Sequence, residues 1–289
     1  MKDRKILFVL NPYSGTCDND FEHEIKSFFS EKPGFEIQFF IPDWNENVKE
    51  SLKEKLCQTD FDTVVASGGD GTVTFVSEVI YGRNLSLGIL PTGSANGLAK
   101  NLNISTNVKE ALGLIAKGET KKLSSLTVNG KFCIHLADIG INAEIIKEFE
   151  SQEKRGVWGY FLALKNVIFK QKKVLAKIKT DTGNFEKAVF MLVFSNGTGY
   201  GTGFTINPNG EFDDNVFEIV MVKKISFLKG LQLYWASQKP PEDHMEIISC
   251  KTTSVEFSRK VHLQIDGEYL GLTSEVDTAL NEEFIDVIS

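Results

Sequence analysis

Three short segments carry residue types better suited to holding phosphate than to filling a core. The segment "SGGDGT" (67–72) sets Asp70 among Gly68, Gly69 and Gly71 and ends on Thr72. Glycine permits positive φ and close backbone approach, so successive N–H groups can point into one concavity and hold an anion. A helix beginning there adds its N-terminal dipole. The segment "PTGSANG" (91–97) repeats the design with Ser94 and Asn96 as hydroxyl and amide donors, and "NPYSG" (11–15) offers Asn11 and Ser14. Taken singly, each also reads as an ordinary turn, with Asp70 as a helix N-cap. Three of them on one sheet edge point to a phosphate site.

Two later segments bring carboxylates. "LQIDGEY" (263–269) places Asp266 and Glu268 at the end of a strand, with Gly267 between them. That glycine lets a backbone or substrate come close, or simply makes a hairpin turn. "FDDN" (212–215) is a candidate cation site or a solvated Asx turn. Other chemistries lack their signatures. There is no GxxxxGK[ST], GxSxG or HExxH. "GTGYGTG" (197–203) leads into no helix, so it reads as a flexible loop rather than a dinucleotide fingerprint. The four histidines (23, 135, 244, 262) are isolated, and the four cysteines (17, 57, 133, 250) have no CxxC spacing.

The elements that must position these residues change character along the chain. "KILFVL" (5–10), "FEIQFFI" (35–41), "DTVVAS" (62–67) and "LSLGIL" (85–90) are strand-like, and helix-compatible segments alternate with them up to Gly118. Alternation of this kind means βαβ units and a parallel sheet, whose ligands bind outside the carboxyl ends of the strands. All three phosphate-type loops follow strands. From about residue 121 the pattern turns antiparallel: "LTVNGKF" is a hairpin through Asn129-Gly130, and a second turn is expected at Thr182-Gly183. Helices are expected at 157–170 and 226–238. The fold class is therefore an α/β N-terminal domain with a parallel sheet (1–120), followed by a β-rich antiparallel C-terminal domain (121–289). The last strand is allowed to return to the first domain.

The chain has 289 residues and a net charge of −7, which argues against nucleic acid as a partner. No apolar run approaches the roughly 18 residues of a membrane span, and the N-terminus lacks a signal-peptide core, so the expectation is a cytoplasmic protein. One stretch suits a membrane surface. Between Glu153 and Asp181 no acid occurs, and the basic run 154–179 interleaves Trp158, Tyr160, Phe161 and Phe169 with its lysines. The alternative is a solvated lysine face with the aromatics packed inward.

The order "LNPYSG", "SGGDGT", "PTGSANGLAKNL", "FDDN", "QIDGEY" resembles the diacylglycerol kinase catalytic-domain family, which includes bacterial lipid kinases and sphingosine kinases. The resemblance implies a fold of two domains with ATP in the cleft between them. By it, the nucleotide rests on Gly68, Gly69, Asp70, Gly71, Thr72 and Ser94, with Asn11, Ser14 and Asn96 shaping the pocket. Asp70 helps hold the catalytic Mg2+. Asp266 is the general base and Glu268 lines the nucleotide side. Asp214, with the backbone carbonyls of Glu211 and Val216, forms a second Mg2+ site. Where many bacterial members carry a basic residue, an Asn, a Glu and an acid, this chain has Thr16, Thr74, Phe75 and Gly97, and Asn215 replaces the usual glycine. The implied activity is ATP- and Mg2+-dependent phosphorylation of a membrane lipid hydroxyl, diacylglycerol by default. Sphingoid-base kinase, NAD-kinase-like enzyme and non-catalytic binding module are the alternatives, in that order. A peripheral membrane surface is the expected partner, and a homodimer is left open.

Overall fold

The computed structural model describes residues 3–15, 21–44, 47–140, 172–200, 204–224 and 244–289. The helices expected at 157–170 and 226–238, and the basic residues from 154 to 170, lie outside the described residues.

The first elements alternate. They are β1 (Arg4–Leu10), α1 (Phe21–Ser30), β2 (Phe35–Phe40), α2 (Val48–Gln58) and β3 (Thr63–Gly68). Then come α3 (Asp70–Ile80), β4 (Ser86–Pro91), α4 (Gly97–Asn101), α5 (Val108–Lys117) and β5 (Thr120–Leu123). Strands follow: β6 (Leu126–Val128), β7 (Lys131–Cys133), β8 (Leu136–Gly140), β9 (Val174–Thr180), β10 (Gly183–Val189) and β11 (Met191–Ser195). The chain continues through β12 (Gly199–Tyr200), β13 (Phe204–Thr205), β14 (Phe217–Val222) and β15 (Met245–Cys250). It ends with β16 (Thr252–Ile265), β17 (Glu268–Leu280) and β18 (Ile285–Ile288). Residues 1–123 and 282–289 form one compact unit, and 124–281 a second.

In the first unit the sheet order is β2-β1-β3-β4-β18-β5. Strands β1 to β4 pair in parallel, β18 runs parallel to β4, and β5 is antiparallel to β18. Ile6, Leu7, Phe8 and Val9 are all fully buried, as a strand covered on both faces requires. Helix α1 turns Phe21, Ile25 and Phe29 inward at four-residue spacing, and Phe8 meets Phe29 edge-on at 5.9 Å between ring centroids. Helix α5 is bounded by its own chemistry. The Asn107 side chain accepts the N–H groups of Lys109 and Glu110, and Gly118 takes φ 73° just past its end.

In the second unit the main sheet runs β15-β14-β11-β8-β16-β17-β6-β7, with β9 pairing β16 and β10. Its core is built from inward-facing Ile139, Leu192, Phe194, Phe217, Ile219, Val255 and Val276. Two hairpins close on the same turn chemistry. Asn129-Gly130 (φ 47° and 75°) joins β6 to β7, and Asp266-Gly267 (φ 48° and 89°) joins β16 to β17. Positive φ at both central residues is the turn whose twist matches that of its strands, which explains the Asx-Gly pairs. The β9–β10 turn sits one residue earlier than expected, at Asp181-Thr182, because Gly183 pairs with Thr180 across the ladder. Strand β16 slips register between Leu263 and Gln264.

Candidate functional site

In the first unit, three loops leave the carboxyl ends of the adjacent strands β1, β3 and β4 and are tied together there. Gly69 caps α3 and Asp70 is its first residue, so the acid is not the N-cap. Its Oδ1 instead accepts the N–H of Leu98, at 3.2 Å, and so stitches α3 to α4. Asn11 donates from Nδ2 to Thr72 Oγ1 at 3.0 Å, and the Ser14 and Thr92 hydroxyls lie 3.0 Å apart. Asn96 takes φ 51°, accepts the N–H of Gly93 and donates to the carbonyl of the same residue, at 3.0 and 2.7 Å.

Two glycines here are required by space. A Cβ on Gly93 would lie 2.4 Å from the Gly69 Cα, and one on Gly68 would lie 2.2 Å from Thr72 Oγ1. Backbone therefore packs on backbone at Gly93–Gly69, and Gly68 makes room for the Thr72 side chain. Ser94 is exposed on the rim of the same loop. The arrangement presents N–H and hydroxyl donors beside a helix dipole, which is how a protein holds a polyphosphate without a lysine-bearing P-loop.

In the second unit, the turn between β16 and β17 holds both expected carboxylates, in different states. Asp266 is clasped by the segment before β8. Its Oδ2 accepts the N–H of Ile134 at 2.9 Å, and its Oδ1 accepts those of His135 and Leu136 at 3.0 and 3.1 Å. The thiol of Cys133 also donates to Oδ1, at 3.4 Å, and burial, with the Asp266 charge adding to it, pushes that thiol well above its ordinary pKa. The Asp266 N–H returns a bond to the Leu136 carbonyl at 2.9 Å. Three donors thus meet Oδ1 and one meets Oδ2, all from residues 133–136. Glu268, two residues on, is exposed. Sequence reading missed what surrounds the turn. Gln264 accepts the Gly267 N–H at 2.7 Å and donates to Asp138, which is fully buried. The available signal was an acid inside the apolar run "IHLADIG" (134–140).

The "FDDN" loop forms the Asx turn that its composition allows: Asp214 Oδ1 accepts the Val216 N–H at 3.3 Å, and Asn215 takes φ 64°. Nearby Glu218 is buried and accepts from Asn207 Nδ2 at 2.7 Å and Ser249 Oγ at 3.1 Å. Burial, and then the Asp214 and Glu211 carboxylates, raise its pKa above the ordinary 4.5. Among the described residues the buried Oδ1 atoms of Asn196 and Asn207 meet no hydrogen-bond donor. Among the described residues no group of three or more His, Cys, Asp or Glu side chains converges closely enough to hold a metal. An all-oxygen set of one carboxylate with backbone carbonyls, beside mutually repelling acids, nevertheless fits a hard divalent cation.

Two family models cover this chain. The diacylglycerol kinase catalytic domain matches residues 5–128, and the YegS C-terminal NAD kinase beta sandwich-like domain matches 137–284. The chain belongs to the diacylglycerol kinase catalytic-domain family. It is 26% identical over 283 residues to a diacylglycerol kinase of Staphylococcus aureus, covering 93% of this chain and 87% of the relative. A Staphylococcus epidermidis diacylglycerol kinase is 27% identical over 256 residues, 83% of this chain and 78% of that one. The fold is similar to a crystal structure of a diacylglycerol kinase from Bacillus anthracis (TM-score 0.72, 20% identity, covering 100% of this chain and 97% of that one). More distantly it is similar to an NAD kinase from Archaeoglobus fulgidus in complex with ATP (TM-score 0.52, 12% identity, covering 99% and 93%).

Within this diacylglycerol kinase family member, Thr16 lies outside the described residues, while Phe75 and Gly97, which also depart from the common pattern, have visible surroundings. Phe75 packs edge-on against Trp44 at 5.2 Å between centroids, and Gly97 is buried at the start of α4. The described part of the basic run is less positive in space than in sequence. Lys177 lies between Glu186 of β10 and Glu256 of β16 in register, and Lys179 reaches Glu256 at 3.8 Å. Lys173 instead sits over the Phe190 ring at 5.4 Å from its centroid.

Proposed function

We propose that this chain is an ATP- and Mg2+-dependent lipid kinase whose acceptor is the hydroxyl of a membrane lipid, diacylglycerol first. The observation that carries the reading is the joining of three donor-rich loops at one sheet edge, two by the Gly69–Gly93 contact and the third by the Asn11–Thr72 and Ser14–Thr92 hydrogen bonds, in a chain of this family. The phosphates of ATP rest on the amides of Gly68 to Thr72 and on Ser94, with Asn11, Ser14 and Asn96 fixing the loops that bear them. Phosphoryl transfer asks mainly for positioning and charge neutralisation, which fixed amides provide without reorganising. Bound Mg2+ would neutralise phosphate charge, with Asp70 as its ligand at the nucleotide. The loop of Glu211, Asp214 and Val216 would hold a second, structural ion.

The acceptor hydroxyl must lose a proton to a carboxylate within hydrogen-bond reach. Asp266, expected in that role, is occupied by three amides and a thiol, so we assign it to holding the turn. The exposed Glu268 on the same turn takes the proton. We also propose that the protein meets anionic bilayers peripherally through the run 154–179, chiefly through lysines outside the β9 ladder. The test is phosphotransfer from labelled ATP to diacylglycerol, monoacylglycerol, sphingosine, ceramide and NAD, with and without a chelator. Labelled diacylglycerol that disappears with the chelator is the expected result. Labelling of NAD alone would overturn the lipid reading.

A further inference from the structure

A carboxylate in the middle of a sheet is costly unless something nearby needs it. Asp138 lies on β8, fully buried, directly opposite Gln264 of β16, which is 1% exposed. The two side chains therefore share one face, and Gln264 Nε2 donates to Asp138 Oδ2. An ionised carboxylate only accepts, so it must take the amide's NH2 end. That leaves the other end no choice: Gln264 Oε1 faces the turn and accepts the Gly267 N–H at 2.7 Å. The Gly267 N–H only donates, so it demands the same orientation of the amide from the other end.

The β16–β17 ladder shifts register just before this glutamine. Leu263 pairs with Gly271 but Gln264 with Tyr269, so Leu270 is the extra residue of a bulge. Alternation on β16 itself is kept: Leu263 and Ile265 join one core with Ala137 and Ile139, and Gln264 and Asp138, also buried, share the opposite face. On its other side the turn is clasped at Asp266 by the amides of Ile134, His135 and Leu136. Gly267 is thus held from the strand that precedes it, and Asp266 from the segment before β8. The residue that follows both anchors is Glu268.

We infer that Gln264, oriented by the buried Asp138, is a positioning residue that fixes the 266–268 turn and with it the direction of the Glu268 carboxylate. This rests on the proposal that Glu268 accepts the substrate proton. The brace itself is read separately, by hydrogen exchange of the Gly267 amide. Gln264→Met keeps the volume and removes both bonds. In the full-length protein it is expected to speed exchange of the Gly267 amide, and to lower kcat for lipid phosphorylation, by at least about fivefold each, the effect of losing one buried hydrogen bond. The KM for ATP stays within about twofold, because the nucleotide loops are untouched. A folded Gln264→Met whose exchange or kcat changes by less than about fivefold overturns the inference. If that variant does not fold, Asp138→Leu decides. It removes the acceptor at the Nε2 end, so the glutamine loses one of its two anchors, and exchange at Gly267 is expected to rise by about fivefold. Wild-type exchange in Asp138→Leu would overturn the inference. A wild-type protein that phosphorylates no lipid would sink the functional reading alone, and exchange would still judge the brace.

Discussion

Gly93 leaves no room for a side chain where two of the loops meet. With its added Cβ 2.4 Å from the Gly69 Cα and 2.9 Å from Asn96 Oδ1, even alanine forces the two loops proposed to hold phosphate apart. A shift of this size in a preorganised site is costly, so Gly93→Ala is expected to weaken ATP binding by about tenfold or more. Isothermal titration with ATP reads this directly, and thermal unfolding of the same sample separates lost affinity from lost fold. Asp70 acts beside it by a different means. The sequence offered it as a helix cap or a metal ligand. In the fold one oxygen spans to Leu98, so the acid also fixes the spacing of α3 and α4.

At the scale of elements, strand β14 carries a titratable weakness. Burial holds the Glu218 pKa above its unfolded value, so the folded chain binds this proton more tightly than the unfolded one. The contribution is therefore fully present below the ordinary glutamate pKa of 4.5 and is lost as pH rises through the raised folded value. Unfolding midpoints of wild type and Glu218→Gln across that window should show the wild type losing stability relative to the variant as pH rises. A constant difference would contradict the assignment. Much of this level was legible beforehand. Continuous apolar runs announced β1, β3 and β4, and Asn129-Gly130 announced its hairpin. Register was not legible. Nothing local tells that Asp138 will stand opposite Gln264, or that Glu186 and Glu256 will flank Lys177. These pairings depend on which strands become neighbours, and a run without acids in sequence gains its acids from two other strands. Asp266 illustrates the same limit. Its position on the turn could be read, but the three amides that fill its oxygens come from about 130 residues away.

For the whole molecule, the proposals require a protein that meets both a nucleotide and a bilayer. Among the described residues no helix is long and apolar enough to cross a membrane. The proposal places lipid contact at the surface. Each lysine near an anionic surface contributes about 1 kcal/mol, so neutralising Lys170, Lys172 and Lys173 together should reduce partitioning to anionic vesicles by on the order of a hundredfold. Neutralising Lys177 and Lys179, which face glutamates, should change it far less. Equal effects from the two sets, measured by vesicle sedimentation, would contradict this division.

The central claim is that Glu268 takes the proton while the glycine loops hold the nucleotide. It is tested most directly by the initial rate of phosphate transfer from ATP to diacylglycerol in mixed micelles, comparing wild type with Glu268→Gln. The account expects the variant to bind ATP as the wild type does and to lose on the order of a hundredfold or more in kcat. A Glu268→Gln enzyme that labels diacylglycerol at the wild-type rate would contradict it.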